Sequence, residues 1–200
     1  MLHYSFMTAS LNNLLGFVAF THDIRSVKRA MWVKGEGQFE NDSEHSYQLA
    51  MVVLYIAEND RQQIDVYKAM GLALVHDIVE VHAGDTPTFG SNADTLTQVE
   101  REPKAITTLR AQWPKLSLMH ALIEEYETKS SPEAKLVYAL DKLVPVLNNY
   151  LDNGRNWKKG HISLDQVIKV KVGKVDVDPI VKRYFEEMLA VLKKKPELFG

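Results

Sequence analysis

A chain of 200 residues that is 46% hydrophobic and 25% charged has the make-up of an ordinary folded protein with its own core, which excludes a disordered, collagen-like or membrane-spanning polypeptide. Its 24 basic and 26 acidic side chains leave a formal charge of -2, so there is no basic field to hold a long nucleic acid. Without cysteine there is no disulfide framework, thiolate nucleophile or zinc ribbon; any metal must be held by histidine and carboxylates, and the cytoplasm is the expected compartment.

Apolar residues recur at helical spacing and alternating β-branched runs are few, which predicts an all-α fold of eight or nine helices in one domain spanning 1–200. The first helix covers 8–20; its apolar stretch from Leu14 to Phe20 is short and follows no Lys or Arg, so it reads as a packed helix rather than an export signal. His22-Asp23 then caps a second helix over 23–31. Asn41 and Glu44 stand as a capping box at the start of a helix over 43–59, and the glycosylation sequon formed by Asn41-Asp42-Ser43 reads as part of that start. Further helices are expected over 64–81, 94–112 and 114–127, and Ser131-Pro132 opens another over 132–151. Residues 170–177 alternate enough for a strand or a loop. The last helix, 179–195, ends in the solvated run Lys193-Lys194-Lys195, and its Tyr184, Phe185, Leu189 and Leu192 serve either the core or a dimer interface.

The segment 69–81 is apolar nearly all round, as in a buried central helix, and its only ionisable residues are His76, Asp77 and Glu80. At about 100° per residue these three share one sector of a helix. Burying two carboxylates and an imidazole together requires neutralisation, either by a divalent cation or by basic residues from elsewhere in the fold. His45 lies on the apolar stripe that continues through Leu49, Val52 and Ile56, as a ligand or as a satisfied core histidine. Asp141 lies among Val137, Tyr138, Val144 and Pro145, as a ligand or as half of a salt bridge with a nearby lysine. Together His45, His76, Asp77 and Asp141 supply two nitrogens and two oxygens, a set suited to Mn, Co, Ni, Fe or Zn rather than Ca or Mg. Gly84 can end a helix in the left-handed conformation, after which Asp85, Thr86, Pro87 and Thr88 form either a simple stop or a loop presenting a carboxylate, hydroxyls and backbone donors.

Ser43-Glu44-His45-Ser46, His76-Asp77-Ile78-Val79-Glu80, Gly84-Asp85-Thr86-Pro87-Thr88 and Asp141-Lys142-Leu143 occur in this order. With Glu125-Tyr126-Glu127 and Ser130-Ser131-Pro132-Glu133-Ala134-Lys135, the pattern resembles the HD-domain metal-dependent phosphohydrolases, in particular the 5'-deoxynucleotidase branch, over about 19–151. The resemblance implies an HD-domain helical bundle with a metal site at its centre and the C-terminal helix packed on that core. It implies His45, His76, Asp77 and Asp141 as ligands to a divalent transition metal (Co, Mn, Ni, Fe or Zn), with Glu80 and Asp85 managing protons. It also implies Arg29 as the phosphate-binding catalytic cation, with Lys28 as its adjacent rival, and Trp32 as a wall of the sugar pocket. Asp77, Asp85, Thr86, Pro87 and Thr88 would complete the contacts to a deoxynucleoside 5'-monophosphate, and the assembly would be a homodimer. The alternatives are a related enzyme acting on a nucleoside triphosphate or cyclic diester, and a nucleotide-binding regulator without turnover.

Overall fold

Caps set the limits of the long helices. In the computed structural model, which describes residues 8–35, 37–60, 63–89 and 92–200 (over 92–98 the backbone alone), Asn41 accepts from the Ser43 and Glu44 amides at 3.0 and 3.1 Å. Glu44 answers the Asn41 amide at 3.1 Å, closing the capping box of α2 (Asp42–Asn59). Ser131 caps α7 (Pro132–Leu151), with Pro132 in the first turn, where a missing N–H costs nothing. The remaining helices are α1 (Ala9–Asp23), α3 (Val66–Val75), α4 (Glu80–Ala83), α5 (Asn92–Gln112), α6 (Ser117–Thr128), α8 (Arg155–Lys159), α9 (Leu164–Val175) and α10 (Pro179–Leu192).

The expected all-α architecture holds, with one small addition. Strands β1 (Lys28–Trp32) and β2 (Phe39–Asn41) pair antiparallel, Lys28 opposite Asn41 and Trp32 opposite Phe39, with an irregularity between. The expected helix over 23–31 is therefore replaced by a short 3-10 turn, Ile24–Ser26, and a strand. The extended Asn41 cap offers a pairing edge, and the period of two along β1 turns Arg29 and Met31 inward while Lys28 and Ala30 face out. His22 and Asp23 end α1 instead of opening a second helix.

α7 runs through the centre and packs on α2, α3, α6, α9 and α10; its Leu136, Val137, Leu140, Leu143 and Val144 are buried. A smaller apolar cluster joins Phe20, Ile78, Val79, Leu109 and Ile123. The expected continuous helix over 64–81 breaks after Val75 into tight turns: the amides of Ile78, Glu80 and His82 bond three residues back, to Val75, Asp77 and Val79. The expected strand or loop at 170–177 is the end of α9, opened by a capping box between Ser163 and Gln166, with Val167, Lys171 and Val175 buried at four-residue intervals. Phe185 and Leu192 pack inside α10's contact with α7 and α9, and the Tyr184 hydroxyl donates to Asp60 at 2.9 Å, so that apolar set serves the core. After α10, the turn Pro196–Leu198 returns beneath α8: Phe199 stacks on Trp157 at 4.8 Å, and Gly154, at φ 70°, lies so close that a Cβ there would be 1.9 Å from the Leu198 carbonyl oxygen.

Candidate metal centre and adjoining pocket

α2, the turn after α3, and α7 each bring one side chain to the same point. His45 and His76 are buried at 0% and 2% exposure, and Asp141 at 3%. His45 Nε2 lies 2.9 Å and His76 Nε2 3.8 Å from Asp141 Oδ1. Ligands at neighbouring corners around an ion, with bonds of about 2.1 Å, stand about 3 Å apart, so this spacing suits a divalent transition metal. The rings are prepared for that role. His76 Nδ1 donates to the Ala73 carbonyl at 2.9 Å, which leaves Nε2, a buried atom with no aligned hydrogen-bond partner, as the nitrogen that could face an ion once its proton is displaced. Asp141 Oδ2 accepts from Tyr126 at 3.0 Å and from Lys142, so Oδ1 is the oxygen presented to the histidines.

Asp77 stands apart from this trio. Its Oδ2 is 2.9 Å from His76 Nε2 but accepts from Arg29 Nη1 at 2.6 Å, and Asp77 clusters with Asp42 and Glu80. The three-plus-one arrangement follows from Arg29, whose inward position on β1 sets its guanidinium 3.1 Å from Asp42, 3.5 Å from Glu40 and 3.9 Å from Asp141. A guanidinium with five donors is thus shared among four carboxylates. Lys28, on the outward face of β1, is exposed, whereas Arg29 lies among the carboxylates.

Burial, and then Arg29, lowers the His45 imidazole, favouring its neutral form. Burial also disfavours a charged His76, but the Asp77 and Asp141 carboxylates outweigh it and lift that ring to about 10; an ion on Nε2 would compete with the proton held there. Burial pushes the Glu80 carboxyl up, and Asp77 and Asp42 push it further, to about 11. Asp42 and Glu40 are both raised to about 7, burial being the main cause. Burial raises Asp85 as well, opposed by Arg29 and by amide hydrogen bonds from Ala30 and Thr86.

Arg29 and Asp85 also line a pocket of about 440 Å³ with Trp32, Phe39, Thr86, Pro87, Thr88 and Trp157. Trp32 lies against Phe39 at 4.3 Å and carries the Lys159 ammonium 4.0 Å above its ring. Gly84, at φ 74°, ends α4 and turns the 85–88 loop toward this wall. Arg101 on α5 braces the loop, donating to the Thr86 hydroxyl at 2.9 Å and to the Ala83 carbonyl. Sequence reasoning missed Asp42, Glu40, Tyr126 and Arg101. No motif marks Arg101, whereas Tyr126 falls within a stretch that already carried the family resemblance.

The family model "HD domain" matches residues 21–179. The chain is 38% identical over 146 residues to the zebrafish (Danio rerio) 5'-deoxynucleotidase HDDC2, covering 68% of each chain. It is 34% identical over 141 residues to the human 5'-deoxynucleotidase HDDC2, covering 68% of this chain and 66% of that one. These alignments span about two thirds of the curated relatives' own length. Among solved structures, a protein from Magnetospirillum magnetotacticum described as a predicted metal-dependent phosphohydrolase superposes with a TM-score of 0.80 at 26% identity, covering 95% of both chains. An HD-domain phosphohydrolase from Listeria innocua, at 18% identity and a TM-score of 0.61, shares the fold.

Proposed function

The chain belongs to the HD-domain family, and from that membership and the geometry of its centre we propose a metal-dependent phosphomonoesterase that converts deoxyribonucleoside 5'-monophosphates to deoxynucleosides and phosphate. The observation that carries this reading is the double engagement of Arg29, which pairs with the carboxylates of the centre and lines the aromatic-walled pocket. One residue thus joins a place for the phosphate to a place for the nucleoside.

His45, His76 and Asp141 would hold the ion, with Asp77 beside them as the fourth donor; the two-nitrogen, two-oxygen set favours manganese or cobalt, with nickel, iron and zinc as the other first-row candidates. When bound, such an ion supplies an acidified water and neutralises charge on the phosphoryl oxygens. The rest is done by the chain. Arg29 donates to phosphate oxygens in the fork geometry that suits them. Glu80, still protonated at neutral pH, gives its proton to the ester oxygen as the phosphorus–oxygen bond to the sugar breaks, so that an alcohol leaves instead of an alkoxide. Asp85, held by the Ala30 and Thr86 amides, takes the proton of the attacking water. Trp32 and the 85–88 loop enclose the sugar.

The test is phosphate release from a panel of deoxy- and ribonucleoside mono- and triphosphates with manganese, cobalt, magnesium or zinc, before and after chelation. Release from deoxynucleoside monophosphates that chelation abolishes and manganese or cobalt restores supports the reading; inertness toward every monophosphate under all metals overturns it. On this reading the enzyme works in the cytoplasm as a homodimer. Support for the dimer comes from α1, where the exposed Leu11, Leu14, Leu15 and Val18 recur at the spacing of a single helical stripe.

A further inference from the structure

The pocket wall contains a cation that the proposed phosphatase chemistry leaves unused. Lys171 lies on α9 between Val167 and Val175, is 3% exposed and lines the pocket. Among the described residues its ammonium makes no hydrogen bond and no ion pair; Asp141 Oδ2, the nearby anion, is already taken by Tyr126 and Lys142. An ammonium has three donors and no acceptor, so with its stem buried Lys171 leaves those donors to the solvent of the pocket or to a ligand that enters it. Burial, with Lys142 nearby, lowers it to about 7.

A second unpaired group lines the same pocket. Asn149 is 4% exposed, and its amide nitrogen donates to the Pro145 carbonyl at 3.0 Å, which fixes the amide and leaves the buried Oδ1 without a partner. Along α7 it stands two turns from Asp141, about 12 Å by helical rise, comparable with the reach of a nucleotide from its phosphate to its base. One wall therefore offers a lone donor and a lone acceptor. A second phosphate would suit Lys171 alone, since the Asn149 oxygen would face it lone pair to lone pair.

We infer that Lys171 and Asn149 read the nucleobase, the Lys171 ammonium donating to a base carbonyl oxygen and the Asn149 amide oxygen accepting from the adjacent ring N–H. Thymine, uracil and guanine carry that pair of groups; adenine has no carbonyl, and the ring nitrogen beside the carbonyl of cytosine carries no hydrogen. The inference rests on the nucleotidase reading for its ligand and assigns that enzyme a preference for bases in which a carbonyl adjoins a ring N–H.

The test combines steady-state kinetics with calorimetric binding on the manganese-loaded full chain. The ligands are the 5'-monophosphates of thymidine, deoxyguanosine and deoxyadenosine, together with deoxyadenosine 3',5'-bisphosphate. Unaltered protein should show a KM about tenfold lower for the thymidine and deoxyguanosine compounds than for the adenine one. Lys171→Met, close in volume, should erase that gap by raising KM with kcat held, Lys171→Arg should restore part of it, and Asn149→Leu should act as Lys171→Met does. A preference absent from unaltered protein, or one that survives both apolar substitutions, overturns the inference. So does an effect of Lys171→Met confined to the bisphosphate, which would make a second phosphate the partner. Base-selective binding without phosphate release would sink the nucleotidase and leave base reading intact; release without selectivity would do the reverse.

Discussion

Glu80 holds its proton because it is buried beside Asp77 and Asp42, and a carboxylic acid one turn beyond the proposed ligands His76 and Asp77 is what an alkoxide leaving group requires. Glu80→Gln should therefore lower kcat about a hundredfold or more while metal content, read by elemental analysis, stays at the unaltered value. His76→Ala should lose both, since it removes the nitrogen that Ala73 orients. The same crowding of acids sets the pH dependence of stability. Glu40 and Asp42 rise to about 7 in the folded state and Glu80 higher, whereas unfolded carboxyls release their protons near pH 4. Between about pH 4 and 7 the folded chain binds more protons than the unfolded one, so stability falls as pH rises through that window. Thermal melts of metal-free protein should show Tm declining from pH 5 to 7.5, and Glu40→Gln should flatten the slope; a rising Tm would contradict this account.

The β1–β2 hairpin and the tight turns after α3 do more for the site than any long helix. The hairpin carries Arg29 and Trp32, and the turns carry His76, Asp77 and Glu80. Arg101 reaches from α5 to hold the 85–88 loop, so Arg101→Ala should raise KM severalfold with metal content unchanged. On α1, Leu14→Asp with Val18→Asp should convert the proposed dimer to a monomer in light scattering. These elements also mark how far the sequence could be read. The caps at Asn41 and Ser131 were legible because each is a local bargain between a side chain and the first free amides of its own helix. The meeting of His45, His76 and Asp141 was legible through the ordered motifs that carry the family resemblance; as polar residues on apolar faces, His45 and Asp141 were each open to a core or salt-bridge role as well. The strand at 28–32 was not, since β1 exists through pairing with residues about ten positions ahead, a contact that no local propensity records. In α9, four valines concealed a helix that Ser163 and Gln166 announced. The placement of Arg29 among four carboxylates depended on that unseen hairpin.

At the scale of the molecule, α7 is the beam on which both chemistries rest, with Asp141 at the centre and Asn149 two turns along toward the pocket wall. α8 and the C-terminal turn press Trp157 into that wall from outside, and the contact is tightest at Gly154. Gly154→Ala must move the Leu198 backbone and also adopt a left-handed conformation, a cost of about 2 kcal/mol or more that a lowered Tm would register. Because Leu198 and Phe199 back Trp157, loosening them shifts a tryptophan that lines the proposed nucleotide pocket. A lesion in a surface bend would thus imitate a binding defect: weakened nucleotide capture alongside untouched chemistry, a disguise that only measuring heat tolerance and saturation kinetics side by side would expose.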